Sequence, residues 1–159
     1  MIFVTVGSHP TFRFDRLLRA LSLISGDEEI AVQHGPAPAP AGVAQAWPWL
    51  TFDEVLENMQ NARVVVSHAG AGTLLAAHQL GHTPVVAPRL RRYDETVDDH
   101  QVDLARAFER TAQVLVAWEM EQLPDLVAAA PARGERVTAD NQGLIDEVRA
   151  ALMGAGRKA

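Results

Sequence analysis

The stretch Ser67-His68-Ala69-Gly70-Ala71-Gly72-Thr73 is where this sequence is best equipped for chemistry. It follows a run of valines and precedes an apolar helical pattern, so a glycine-rich turn joins a strand to a helix. Free amides at a helix start carry roughly half a positive charge, and glycines at 70 and 72 would let a phosphate approach the backbone. The same glycines would also suit a merely tight strand-to-helix turn, and the spacing leaves both readings open. The segment is not the dinucleotide fingerprint G-x-G-x-x-G, because Leu75 stands at the third glycine's place and the turn follows a middle strand. A nicotinamide cofactor is therefore not expected.

Two further clusters point the same way. Val6-Gly7-Ser8-His9 ends the first strand with amides and a hydroxyl that would open at the same edge of a parallel sheet, and two such turns define a cleft. Pro88 to Gln101 leaves a strand and enters a helix, with His100 and Gln101 as natural ligands for the hydroxyls of a polyol. The plain alternative for Arg89, Arg91, Arg92, Asp94 and Glu95 is an exposed charged loop. His9 is a possible general base, against the commoner role of a histidine that only hydrogen-bonds loop backbone or phosphate. His68, ending a buried strand, reads as structural or nucleotide-contacting. His34, His78 and His82 show no H-E-x-x-H spacing and read as ordinary structural histidines.

The elements that must hold these residues alternate. Short β-branched runs at 2–6, 30–34, 64–67, 85–87 and 114–117 read as buried parallel strands. Helix-period windows lie between them: 16–24 with Leu17, Leu18, Leu21 and Ile24, 97–108 with Gln101, Leu104, Ala105 and Phe108, and 143–152 with Leu144, Ile145, Val148 and Leu152. Thr51-Phe52-Asp53-Glu54 matches a capping box and predicts a helix to about Asn61, its apolar face Phe52, Val55, Leu56 and Met59. The βαβα order implies one α/β domain over 1–153, a doubly wound parallel sheet of Rossmann-like type, with 154–159 as a flexible tail. The proline-bearing segment 35–42 is a loop inside that domain.

Composition narrows the function classes. With 159 residues, 48% hydrophobic, the chain suits one domain with a full core. No cysteine means no disulfide framework and no thiolate metal site. Apolar runs fall well short of the ~18 residues of a membrane span, and Met1-Ile2-Phe3-Val4 reads as a first strand rather than a signal, so a cytoplasmic protein is expected. Any membrane association would be peripheral, borrowed from a partner. A formal charge of −6 argues against nucleic acid as a general ligand.

Val4-Thr5-Val6-Gly7, Ser67 to Thr73, Pro88-Arg89, Tyr93 and Val97-Asp98-Asp99-His100-Gln101 together resemble the C-terminal domain of glycosyltransferase family 28, in order and spacing along almost the whole chain. The resemblance implies the donor half of a two-domain (GT-B) transferase. It is nearest to small stand-alone members that work with a membrane-anchored second subunit in lipid-linked or polysaccharide synthesis. It implies a UDP-sugar as substrate, with Gly70, Ala71, Gly72 and Thr73 on the diphosphate, His68, Gly7, Ser8 and Arg89 also at the nucleotide, and His100 and Gln101 on the sugar. The implied reaction inverts the anomeric carbon. No D-x-D triplet occurs, so no metal and no cofactor are expected; fixed dipoles and Arg89 would take the place of Mg²⁺. Many relatives carry a ribose-gripping glutamate three residues after the Thr73 position, where this chain has Ala76; His78 and Gln79 are weak substitutes. A noncatalytic partner subunit that kept the fold is therefore a second reading, and an epimerase-like fragment a distant third. Trp47, Trp49 and Leu50 are either cover for the sheet edge or anchors for the partner.

Overall fold

The computed structural model describes residues 1–134. Strands β1 (Ile2–Thr5), β2 (Ile30–Gln33), β3 (Gln45–Trp47), β4 (Val64–His68), β5 (Val85–Ala87) and β6 (Leu115–Val116) form one sheet in the order β3-β2-β1-β4-β5-β6. Every pairing is parallel. Helices α1 (Asp15–Ala20), α2 (Phe52–Asn61), α3 (Ala71–Gln79), α4 (His100–Arg110) and α5 (Leu123–Ala129) cover it. The doubly wound Rossmann-like arrangement expected from the alternation is the one observed.

Both faces of the sheet are covered, which is why its central strands are apolar at successive positions rather than at alternate ones. Ile2, Val4, Val64, Val66 and Val85 pack with Leu17 and Leu18 of α1 and Leu123 and Val127 of α5. The intervening residues face the other way. Phe3 and Val65 meet Met59 of α2 and Ala76 and Ala77 of α3. Val86 meets Leu74 of α3 and Leu104 and Phe108 of α4. Strand period two has therefore divided the core between two helical layers.

Several local expectations shift. The window 16–24 is helical only to Ala20, then tightens to a 3-10 turn over Leu21–Leu23. Helix α4 begins at His100 rather than 97. Strand β3 went unforeseen because it is a half-exposed edge strand of three residues, without β-branching. The helical window 143–152 and the tail 154–159 lie outside the described residues. At α2 both capping-box bonds form: Thr51 Oγ1 accepts from the Glu54 amide at 3.3 Å, and Glu54 Oε2 from the Thr51 amide at 2.7 Å. Phe52 corrects the predicted apolar face. It is 65% exposed at the first position of α2.

Far from the sequence motifs, Glu28 ties the chain start to β4. Its carboxylate accepts from Arg63 Nη2 at 2.6 Å and Nε at 2.9 Å, and from the Met1 ammonium at 3.2 Å. The Arg63 bond is the chief reason the Glu28 carboxyl is held down to about 2. A carboxyl lowered in the folded state stabilises it above the unfolded value near 4.5 and loses that contribution as pH falls toward 2. Both partners stand partly in solvent, so Glu28→Gln should cost only roughly 1 kcal/mol near neutral pH. In urea unfolding the gap between wild type and variant should narrow steadily below about pH 4.5 and be largely gone by about pH 2.

Candidate functional site

At the carboxyl edge of the sheet, β1 and β4 are paired with Thr5 opposite Ser67. The chain leaves β1 toward α1 on one face and leaves β4 toward α3 on the other. Strand order reverses between them, and a crevice must open there. The structure has a cleft of about 460 Å³ at this point, within the usual ~300–1,000 Å³ of a small-molecule site. Gly7, Ser8, His9, Pro10 and Phe12 line it from the β1 side, His68 and Gly70 from β4, and Arg89, Glu95, Thr96 and Val97 from the loop after β5. His100 and Gln101 close it from the start of α4.

The imidazole of His68 is the wedge of this cleft. A Cβ built on Gly7 would meet its Cε1 at 2.6 Å and Nε2 at 2.7 Å, and one built on Gly70 would lie 2.9 Å from its Cδ2 and Cε1. Gly7 also has φ +85°, a conformation side chains disfavour. These two glycines are thus required by a neighbouring side chain, a reason that spacing could not show. Gly72 is different: a Cβ there would meet nothing, because it faces open space. Burial first, then the Arg89 guanidinium, push the His68 ring down to about 4, with the His100 charge adding and the Thr5 backbone opposing. His68 is therefore neutral across the physiological range.

Beside the wedge, α3 starts without a side-chain cap: Gly70 is its N-cap, and the helical ladder begins with the Leu74 amide on the Gly70 carbonyl at 3.0 Å. Ala71 and Thr73 are half-buried and Gly72 is exposed in this first turn, just outside the residues that line the cleft itself. Eight of the expected site residues thus converge on the cleft, while Ala71, Gly72 and Thr73 flank it.

Arg89 departs most from expectation. Rather than reaching outward, it is 3% exposed, with its guanidinium 4.9 Å over the Phe14 ring. Nη2 donates to the Val6 carbonyl at 2.7 Å, and Nη1 to the carbonyls of Glu95 at 2.9 Å, Phe12 at 3.1 Å and Arg13 at 3.2 Å. Both amino groups are committed to backbone. Glu95, 3% exposed, is also no part of a solvated loop: its carboxylate pairs with Arg16 and accepts from the Leu90 amide at 2.9 Å. Arg91, Arg92 and Asp94 are exposed, as the charged-loop reading had it.

The remaining candidates sort by their bonds. His9 accepts through Nδ1 from the amides of Thr11 at 3.3 Å and Phe12 at 3.4 Å, which puts the proton on Nε2 and favours the hydrogen-bonding role over the base. His100 pairs with the Asp98 carboxylate at the cleft's rim, and this holds Asp98 below the ordinary range. Gln101 is buried, and its Oε1 accepts from the Arg89 amide at 3.2 Å. His34, His78 and His82 bond to the carbonyls of Ala37, His82 and Met59, as structural histidines do. Trp47 and Leu50 pack half-buried against the core, whereas Trp49 is 43% exposed. Among the described residues no cluster of three or more metal-ligating side chains occurs, and no helix is long and apolar enough to cross a membrane. Sequence reasoning missed Arg16, Phe12 and Thr96; none carries a motif, and only the fold brings them to the cleft and its supports.

The UDP-N-acetylglucosamine transferase subunit ALG13 of Yarrowia lipolytica is 31% identical to this chain over 71 residues, a match covering 45% of this chain and 34% of that protein. The match thus spans about a third of the curated relative's length. The family model of the glycosyltransferase family 28 C-terminal domain matches residues 1–141, which include all six strands and every residue of the cleft. This chain belongs to the glycosyltransferase family 28 C-terminal domain family.

Proposed function

We propose that the chain is the donor-binding, catalytic subunit of an inverting glycosyltransferase. It would take a UDP-sugar, with UDP-N-acetylglucosamine the first to try, and serve a lipid-linked acceptor held largely by a membrane-anchored partner subunit. The observation that carries this reading is the uncapped start of α3, set beside His68 at the switch point of the sheet. The similarity to a subunit of a UDP-N-acetylglucosamine transferase supports the choice of donor and the need for a partner.

On this reading the amides of Ala71, Gly72 and Thr73 take the diphosphate, where Gly72 leaves open space for it. As the acceptor oxygen bonds to the anomeric carbon, the bond to the diphosphate breaks and negative charge collects on UDP. Preorganised amides stabilise that charge without reorganising. Neutral His68 and the Nε2–H of His9 are donors suited to phosphate oxygens. His100 and the NH₂ end of Gln101 meet the sugar hydroxyls. The proton acceptor for the incoming hydroxyl then belongs to the partner. Val97 is exposed and lines the cleft, and with exposed Trp49 and Phe52 it suits an apolar contact with that partner.

The scaffold reading draws on Ala76. It is buried, so no carboxylate stands where many relatives hold ribose. His78 does not replace it, being buried with its ring stacked on Phe108.

Calorimetric titration of UDP decides between the two. Measurable binding in the micromolar to low millimolar range supports the donor subunit, and none at several millimolar supports the scaffold. Gly70→Ala drives a Cβ into the His68 ring, and it should weaken UDP binding by at least about tenfold while the chain stays folded by circular dichroism. Gln101→Ala should alter affinity for the UDP-sugar more than affinity for UDP. Equal losses for both ligands would remove Gln101 from sugar recognition.

A further inference from the structure

We propose that Arg89 is the positioning residue of the cleft. With Glu95 and Arg16 it locks the loop after β1 to the loop after β5, and it keeps a fixed cation in the cleft wall. The locking follows from geometry alone; the use of the cation for an anionic ligand rests on the donor-site reading above.

The four carbonyls held by Arg89 belong to two different walls. Val6, Phe12 and Arg13 come from the loop after β1, and Glu95 from the loop after β5. One planar fork thus fixes two segments that are some eighty residues apart in sequence, 83 in the case of Val6. Lysine could not do this, having a single nitrogen at the end of a flexible stem. Phe14 lies under the guanidinium of Arg89 at 4.9 Å and under that of Arg16 at 5.3 Å, so both cations rest on one buried ring. Arg16 repeats the pattern from α1. It donates Nε and Nη2 to the two oxygens of Glu95 at 3.1 and 3.0 Å, and Nη2 also to the Pro88 carbonyl at 2.8 Å. The Glu95 carboxylate further holds the Leu90 amide, and the Arg89 amide is held by Gln101.

A buried ion pair is weak evidence for stability, because desolvation offsets much of the attraction. Here the partners are backbone carbonyls of the functional loops, so what the network fixes is loop position. The charge is also uneven: two guanidiniums face one carboxylate, leaving one positive charge in the cluster of a protein whose formal net charge is −6. Burial pushes Arg89 down to about 10, with Glu95 pulling it back up, so it stays protonated near neutrality. Arg89 lines the cleft together with His68, and its charge is the second cause, after burial, of the lowered His68 value.

The test uses the full chain as Arg89→Lys, Arg89→Met and Glu95→Gln. Without nucleotide, amide hydrogen exchange should quicken on the order of tenfold in 7–13 and 90–97 in all three. Strands β1 and β4 should keep wild-type protection. By NMR titration the His68 pKa should rise in Arg89→Met and stay low in Arg89→Lys, which keeps the charge. UDP affinity should fall on the order of tenfold in Arg89→Lys and further in Arg89→Met. Should Arg89→Met not fold, the other two variants carry the exchange measurement. Unchanged exchange in both loops overturns the proposal, as does exchange that quickens equally through β1, β4 and α5, which would make Arg89 a residue of general stability. An unmoved His68 titration in a folded Arg89→Met overturns the cation half. Wild type that binds no UDP defeats the donor-site reading, while exchange still decides the lock.

Discussion

Everything functional in this fold depends on the parallel pairing of β1 with β4. That register sets Thr5 beside Ser67, so the turns that follow the two strands emerge side by side. Because their chains depart to opposite faces of the sheet, a crevice opens between them. The His68 imidazole fills the floor of that gap, and glycine is required on either side at Gly7 and Gly70. A one-residue slip in the pairing would carry His68 away from the turn after β1 and remove the reason for the glycine at Gly7.

The electrostatics follow from the same layout. An acidic chain has no general affinity for anions, so any anion site must be made locally. Under the donor-subunit reading two local sources converge at the switch point: the first turn of α3 offers amides without a side-chain cap, and buried Arg89 supplies charge from the cleft wall. Burial is the main cause of the lowered His68 value and Arg89 the second, since a neighbouring cation disfavours a second positive charge. Amides in contact and a cation at a distance are complementary: the first gives direction, the second gives a field that needs no rearrangement when a ligand arrives.

The fold was legible because parallel strands buried on both faces leave nearly continuous apolar runs, as at 2–5 and 64–67, and because the capping box at Thr51 acts through residues three apart. The glycine turn at a strand-to-helix junction and the place of His100 and Gln101 at a helix start could be read for the same reason, since those signals are local. What was illegible is set by distance along the chain. Arg89 looks like the first of a run of surface arginines, and nothing near it reveals that Val6 and Phe12 lie within its reach. Glu95 pairs with Arg16 across 79 residues. The edge strand β3 was missed for a different reason: half-exposed and without β-branched residues, it is held by its neighbour's backbone rather than by a pattern of its own.

Ala76 shows how packing restricts what this site can recognise. It lies on the inner face of α3 with Met59 and Ala62 at the α2 end and Phe3 and Val65 on the sheet. Ala76 is 4% exposed, and a glutamate there would set a carboxylate against this apolar cluster, at a cost of several kcal/mol unless it found a partner or reached solvent. Under the donor-subunit reading, recognition of the nucleotide then falls to the diphosphate amides and to groups the partner brings to the rim. Affinity for the isolated chain would come mostly from phosphate charge, with selectivity completed by assembly.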